Sequence, residues 1–308
     1  MSQIAFDSDK RYATIDDPDA DAILRSSDSV NFHVRKSVLS EVSTFFKDMF
    51  SLPQNEPIDD FQSSVGLDIV PVAEDKDELY LFIRLCYPNQ DHSLSDLSEV
   101  KRALKILRKY DVQRIPDSVG LALMLAVNEH PTTVCAIACG YNFLAVANAA
   151  AKASLKSPLF SDASQSDEDL DLMTASQYDK FLRYHKNVAT RASTAASSFQ
   201  WMEQDDPIPT AFRPCKCPNT QIVLPAAWAS PVANWVIQWR KEMADALATT
   251  PDFNTISRRG IATMRATTTA ISSGCPSCRT ELEKLPAFTE LIANRVDAVT
   301  AQVRFFVI

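Results

Sequence analysis

Glycine is nearly absent from this chain, five residues in 308 against 17 prolines. A nucleotide site built on a glycine-rich phosphate loop therefore has almost nothing to be built from. Long apolar runs are missing too: the best candidate, GLALMLAV from Gly120 to Val127, falls far short of the roughly 18 apolar residues that a membrane-spanning helix needs. In place of the basic start and apolar run of a secretory leader, the N-terminus carries Asp7, Asp9, Asp16, Asp17, Asp19 and Asp21. Cations are in deficit, 31 Lys plus Arg against 39 Asp plus Glu, and the net charge of -8 gives no general attraction to phosphate backbones or anionic bilayers. With four histidines and no serine set between the paired glycines of a nucleophile elbow, nothing suggests a hydrolytic triad. These absences predict an intracellular protein of cytoplasm or nucleus that is not an enzyme and has no nucleic-acid or membrane partner.

What is present is core-forming material. A hydrophobic fraction of 46% suffices for one large domain or two of ordinary size. Residues 1–17 are polar and read as a loose terminus. AILR from Ala22 leads through the turn-forming SSDS to VNFHV, where Val30, Phe32 and Val34 alternate with polar residues; period two predicts a hairpin with one buried face. The period then changes. Val38, Leu39, Val42, Phe45, Phe46, Met49 and Phe50 recur at steps of three and four, predicting one helix, or two broken near Ser40, with Ser37 or Ser40 as cap. DIVP is a third strand whose Pro71 suggests an edge or a bulge. DELYLFIRLCY is a helix ended by Pro88. LSEVKRALKILRKYDV puts Leu97, Val100, Leu104, Leu107 and Tyr110 on one helix face and Lys101, Arg102, Lys105, Arg108 and Lys109 on the other. Those cations read as a solvated face, with a site for an acidic partner as the alternative.

Beyond residue 75 the signals are helices and loops. They run through VGLALMLAV, PTTVCAIAC with its proline in the first turn, a GYN turn, and NFLAVANAAAKASLK. Asp167, Glu168, Asp169 and Asp171 lack the pattern of a calcium loop and read as solvated linker. TASQYDKFLRYHKNVATRASTAASS places Tyr178, Leu182, His185 and Val188 in register. After a loop from Asp205 to Pro231 come three helical segments, the middle one TISRRGIATMRATTTAI and the last divisible at Pro286. Trp228, Trp235 and Trp239 read as core, with a peptide groove as the alternative.

The stretch DAILRSSDSVNFHVRKSVLSEVSTFFKDMFSLPQ resembles the start of a BTB (POZ) domain of the kind met in large fungal paralogue families. The likeness continues through IVPVAEDKDELYLFIRLCYP and LKILRKYDV, covering roughly Ala22 to Asp117. Arg35 stands where the family commonly has histidine, so a role given to that histidine does not transfer. The resemblance implies an α/β BTB/POZ fold, a short mixed sheet with a helical cluster, followed by a mostly α-helical C-terminal region. Residues 18–117 would form the BTB domain, 118–160 a helical extension, and 161–308 a helical domain. It also implies self-association or pairing with another BTB protein. An unidentified protein client and a role as adaptor to a cullin of a ubiquitin ligase come with it, the extension resembling the post-BTB helix pair. Phe45, Phe46, Met49 and Phe50 are assigned to the core, because small domains need their largest residues inside. The interaction surface is placed at Val38 and Val42 on the helix rim and at Leu94 and Leu97.

Seven cysteines, an odd number in a chain without export features, argue against a disulfide framework. Cys275 and Cys278 are spaced C-x-x-C at a helix start, Cys215 and Cys217 C-x-C; together they offer four thiolates to a structural zinc. Unligated thiols and a redox pair are the other readings, though the redox reading wants a strand before the pair and ATTTAISSG is a poor one. His185 is either a supplementary ligand or a packing residue. The functional expectation is a protein-interaction and oligomerisation module; a scaffold that never meets a cullin and a thiol-based activity in the C-terminal region are the competitors.

Overall fold

The short strand Ala22–Arg25 (β1) buries Ala22, Ile23 and Leu24, and pairs antiparallel with Asn31–Val34 (β2), Leu24 opposite Phe32. In the turn between them Ser29 takes a φ of 68°. The Ser26 hydroxyl donates to Asp28 at 2.6 Å and accepts the Val30 N–H at 3.0 Å, so side-chain oxygens hold the conformation in place of a glycine. Asp68–Pro71 (β3) pairs parallel to β1. The sheet order is β2–β1–β3, and Pro71 therefore sits on an edge, where its missing N–H disrupts least. This computed structural model describes residues 17–52, 66–88, 90–159, 167–198, 201, 219–220 and 232–305. The expected loose terminus falls almost wholly outside them.

The apolar stripe after β2 forms two helices, Lys36–Val42 (α1) and Thr44–Ser51 (α2). The break lies at Ser43, not near Ser40, and neither Ser37 nor Ser40 is a cap: both are inside α1, whose N-cap Arg35 makes no side-chain cap bond. The Ser43 hydroxyl donates to the Tyr110 carbonyl at 2.5 Å and accepts the Phe46 N–H at 3.1 Å. A partner 67 residues away thus sets the break, which local periodicity cannot register. Of the four large residues assigned to the core, Phe46 alone is fully buried, packed on Phe82 and Tyr110 with ring centroids 5.6 and 5.0 Å away. Met49 and Phe50 are half-buried and Phe45 is exposed.

Lys76–Cys86 (α3) and Leu97–Lys109 (α4) are capped by Asp75 and Asp96, which accept the N–H of Glu78 and Glu99. Asp117–Ala126 (α5) follows, burying Val119 and Leu123. Between these helices and the sheet lies the buried carboxylate of Glu74, which accepts from Lys109 Nζ and the Tyr110 hydroxyl. Lys109 keeps the exposed position that its spacing assigned it, while its ammonium reaches in to this carboxylate. Residues up to Ala126 form one compact unit and those from Val127 a second.

In the second unit Pro131–Gly140 (α6) and Leu144–Ala153 (α7) pack on each other, joined by a turn with Asn142 at φ 61°. Gly140 lies so close to Leu172 that a Cβ would stand 2.8 Å from its carbonyl oxygen. Asp167–Leu170 (α8) is a helical turn with Asp169 buried, which corrects its reading as solvated linker, while Asp171 is exposed as expected. Ala175–Ser197 (α9) starts with a Thr174–Gln177 capping box and buries Phe181, Tyr184, His185 and Val188. Tyr178 and Leu182 are only half-buried, so the inward face is rotated from the expected one. Asn219–Thr220 (β4) and Val232–Ala233 (β5) form a two-residue antiparallel pair, so strands do not stop at residue 75. Asn234–Thr249 (α10) buries Trp235 and Trp239, the latter 5.6 Å from the Phe288 ring; these two are core, and Trp228 lies outside the described residues. The middle helical segment splits into Phe253–Ile256 (α11), Arg258–Thr263 (α12) and Arg265–Ser272 (α13). Pro276–Thr300 (α14) runs through Pro286 without division, its neighbours Leu285 and Phe288 buried in the core. Among the described residues no helix is long and apolar enough to cross a membrane.

Candidate protein-interaction site

Polar bonds fasten the segment ahead of β1 to the elements that carry the expected interface. Asp17 donates its N–H to the His33 carbonyl at 3.2 Å, and Asp21 donates to Val34 at 3.2 Å. The largely buried Asp17 carboxylate accepts from Arg35 Nε at 2.6 Å and raises the guanidinium's pKa. Asp21 accepts the Lys36 N–H at 2.6 Å, while Lys36 Nζ reaches Asp68 at 2.9 Å. Tyr87, its hydroxyl accepting the Arg35 N–H at 2.8 Å, is pushed up in pKa by burial. The start of α1 is thereby tied to β2, β3 and the end of α3. Val38 and Val42, four residues apart on α1 and half-buried, share one face on this braced helix. Beyond the break, α2 exposes Phe45, and its C-cap Leu52 is exposed as well.

Leu94 and Leu97, also half-buried, occupy the loop after α3 and the first residue of α4. Arg84 holds that loop, donating to the Ser93 carbonyl and to Glu99, each at 2.8 Å. Glu99 in turn accepts the Ser95 N–H at 2.7 Å. The four expected surface residues thus make two patches on separate elements. Spacing arguments missed Phe45, Leu52 and the exposed Leu121, Met124 and Leu125 of α5. A signal for the last three existed: a helix apolar on every side has more apolar surface than one core contact covers.

The thiols divide. Cys275 is the half-buried N-cap of α14 and Cys278, in its first turn, is buried. Cys215 and Cys217 lie outside the described residues. Among those described, no group of three or more His, Cys, Asp or Glu side chains can hold a metal ion. His185 is a packing residue rather than a supplementary ligand. Its Nε2 lies 2.7 Å from Ser154 Oγ, whose own proton is committed to the Ala151 carbonyl at 2.7 Å. Two acceptors cannot share a contact without a hydrogen, so the serine donates to Ala151 and accepts from a protonated Nε2. Burial holds this imidazole's pKa at about 4. Burial also pushes the Cys86 thiol up to about 12. The Cys135 thiol donates to the Ala147 carbonyl at 3.8 Å, and the neighbouring Cys139 together with burial raises its pKa well above the ordinary thiol value.

No curated protein matches this chain. Residues 17–123 match the model of the BTB/POZ domain, a module of protein–protein interaction and oligomerisation that pairs with itself or with other BTB proteins. The mixed three-stranded sheet and the helices α1 to α5 account for that match, and a BTB/POZ domain is present in this chain.

Proposed function

We propose that the chain is a self-associating scaffold. Its BTB/POZ domain forms the joint between copies, and its helical second unit presents a client protein. The observation that carries this reading is the braced α1 rim, where Val38 and Val42 stay half-exposed on a helix locked by the Asp17–Arg35 and Lys36–Asp68 pairs. A rigid apolar rim loses little conformational entropy on pairing. The molecule acts by holding partners at high effective concentration, without chemistry of its own.

Light-scattering mass of the full chain tests it. The wild type is expected at twice the mass of one chain, and Val38→Asp with Val42→Asp at one. A wild-type monomer at about 10 μM sinks the reading, since stable homodimer interfaces dissociate below that range. The α6–α7 helix pair favours one elaboration, an adaptor for a cullin-type ubiquitin ligase; adding a purified cullin N-terminal domain to the same measurement should add its mass to the dimer. A structural zinc remains a proposal of the sequence, with Cys275 and Cys278 as the thiolates placed at α14.

A further inference from the structure

The self-association reading leaves part of the first unit unused. α5 turns Val119 and Leu123 into the core, yet Leu121 is 67%, Met124 40% and Leu125 84% exposed. Positions i, i+3 and i+4 share one helix face, so these three form a continuous apolar stripe about one turn long. Contiguous exposed apolar surface of this kind marks an interaction site more often than single exposed leucines do. α4 packs along α5 and buries Val100, Leu104 and Leu107. Its outward face presents Arg102, Lys105 and Arg108, all exposed. Glu99 and Lys109 of α4 make salt bridges to Arg84 and Glu74; among the described residues none involves Lys105 or Arg108. From Leu97 to Ala126 six cations stand against three acids, a local reversal of sign in a chain of net charge -8.

We propose that the outward face of α4 and α5 is a docking site for an acidic amphipathic helix of a partner protein. The partner's apolar anchors cover Leu121, Met124 and Leu125, and its flanking carboxylates meet Lys105 and Arg108. An apolar stripe of this length suits the spaced anchors of helix recognition, while the cations steer the encounter and set the register. A phosphate backbone would leave three apolar side chains in water. An extended anionic bilayer would meet the net negative charge of the whole chain, whereas a peptide feels chiefly the charges within a Debye length of about 8 Å. The site is independent of the α1 rim, so a Val38→Asp, Val42→Asp monomer keeps it.

The test is fluorescence anisotropy of the full chain with a labelled synthetic peptide of about four helical turns, leucines on one face and glutamates on the other. Controls are a peptide with lysine for every glutamate and a scrambled acidic peptide. The acidic amphipathic peptide should bind and weaken as salt rises. Leu121→Ser with Leu125→Ser, and separately Lys105→Glu with Arg108→Glu, should each weaken it about tenfold or more. All four positions are exposed, so melting midpoints should be unchanged; the lysine and scrambled peptides probe the same specificity without altering the protein. Equal binding of either control, full affinity in both variants, or no binding at about 1 mM peptide overturns the proposal. So does tighter binding of single-stranded RNA or phosphatidylserine vesicles that the same variants abolish, which would assign the face to another ligand.

Discussion

His185 and Glu74 show how a buried titratable side chain is accommodated when its partners differ. Glu74 keeps its charge: burial pushes its carboxyl pKa up, but the bonds from Lys109 and Tyr110 more than offset that and the net shift is downward. His185 has only a neutral hydroxyl and loses its charge, its pKa lowered to about 4 by desolvation. Well above pH 6.5 His185 is neutral both folded and unfolded. As pH falls towards 4 the unfolded chain takes up a proton that the folded one refuses, so stability is lost across that window, by something on the order of 3 kcal/mol at its lower end. All four tryptophans lie beyond residue 200, so their fluorescence reports the second unit. Urea midpoints followed that way should drop between about pH 7.5 and 5. His185→Gln, which retains a donor for Ser154, should flatten the drop; an equally steep loss in the variant would move the cause to another group.

At the scale of elements, close approach decides what periodicity leaves open. Gly140 ends α6 where the chain near Leu172 crosses it, with no room for a Cβ beside the Leu172 carbonyl. Gly140→Ala should lower the stability of the second unit by about 1–3 kcal/mol, read as a shift in the tryptophan-detected urea midpoint. An unchanged midpoint would mean that the α8–α9 connection yields. In a solvent-exposed helix the same substitution would help, since alanine is the better helix former, so the sign reports the crossing. The hairpin, α3, α4 and the long α9 and α10 were readable from the chain because each has one inward face at a regular period. The Ser43 break, the buried Asp169 and the uninterrupted α14 were not. Ser43 depends on Tyr110, Asp169 owes its burial to tertiary packing, and the helix around Pro286 is held by core contacts of its neighbours.

For the whole molecule, self-association has a thermodynamic signature separate from mass. If folded copies pair through the α1 rim, the melting midpoint should rise with protein concentration, because pairing withdraws folded chains from the unfolding equilibrium. Val38→Asp with Val42→Asp should abolish that dependence. A concentration-independent midpoint in the wild type, with dimer mass by light scattering, would place the joint in a part of the chain that unfolds separately. Val38, Val42, Leu94 and Leu97 were expected at the surface, and all four are half-buried. Phe45 was assigned to the core and the α5 stripe was not named, since an apolar residue's exposure depends on how many helices arrive to cover it.

The amino-acid sequence by itself determined the strand and helix order of the BTB/POZ region and the helical character of the C-terminal region. Each of these comes from local spacing, composition or turn chemistry. Tertiary structure alone decided which apolar residues remain outside, where Ser43 divides a continuous stripe, that Lys109 serves a buried carboxylate, and that His185 donates to Ser154. Those outcomes depend on partners far along the chain, and burial and hydrogen bonding act through space rather than along the sequence.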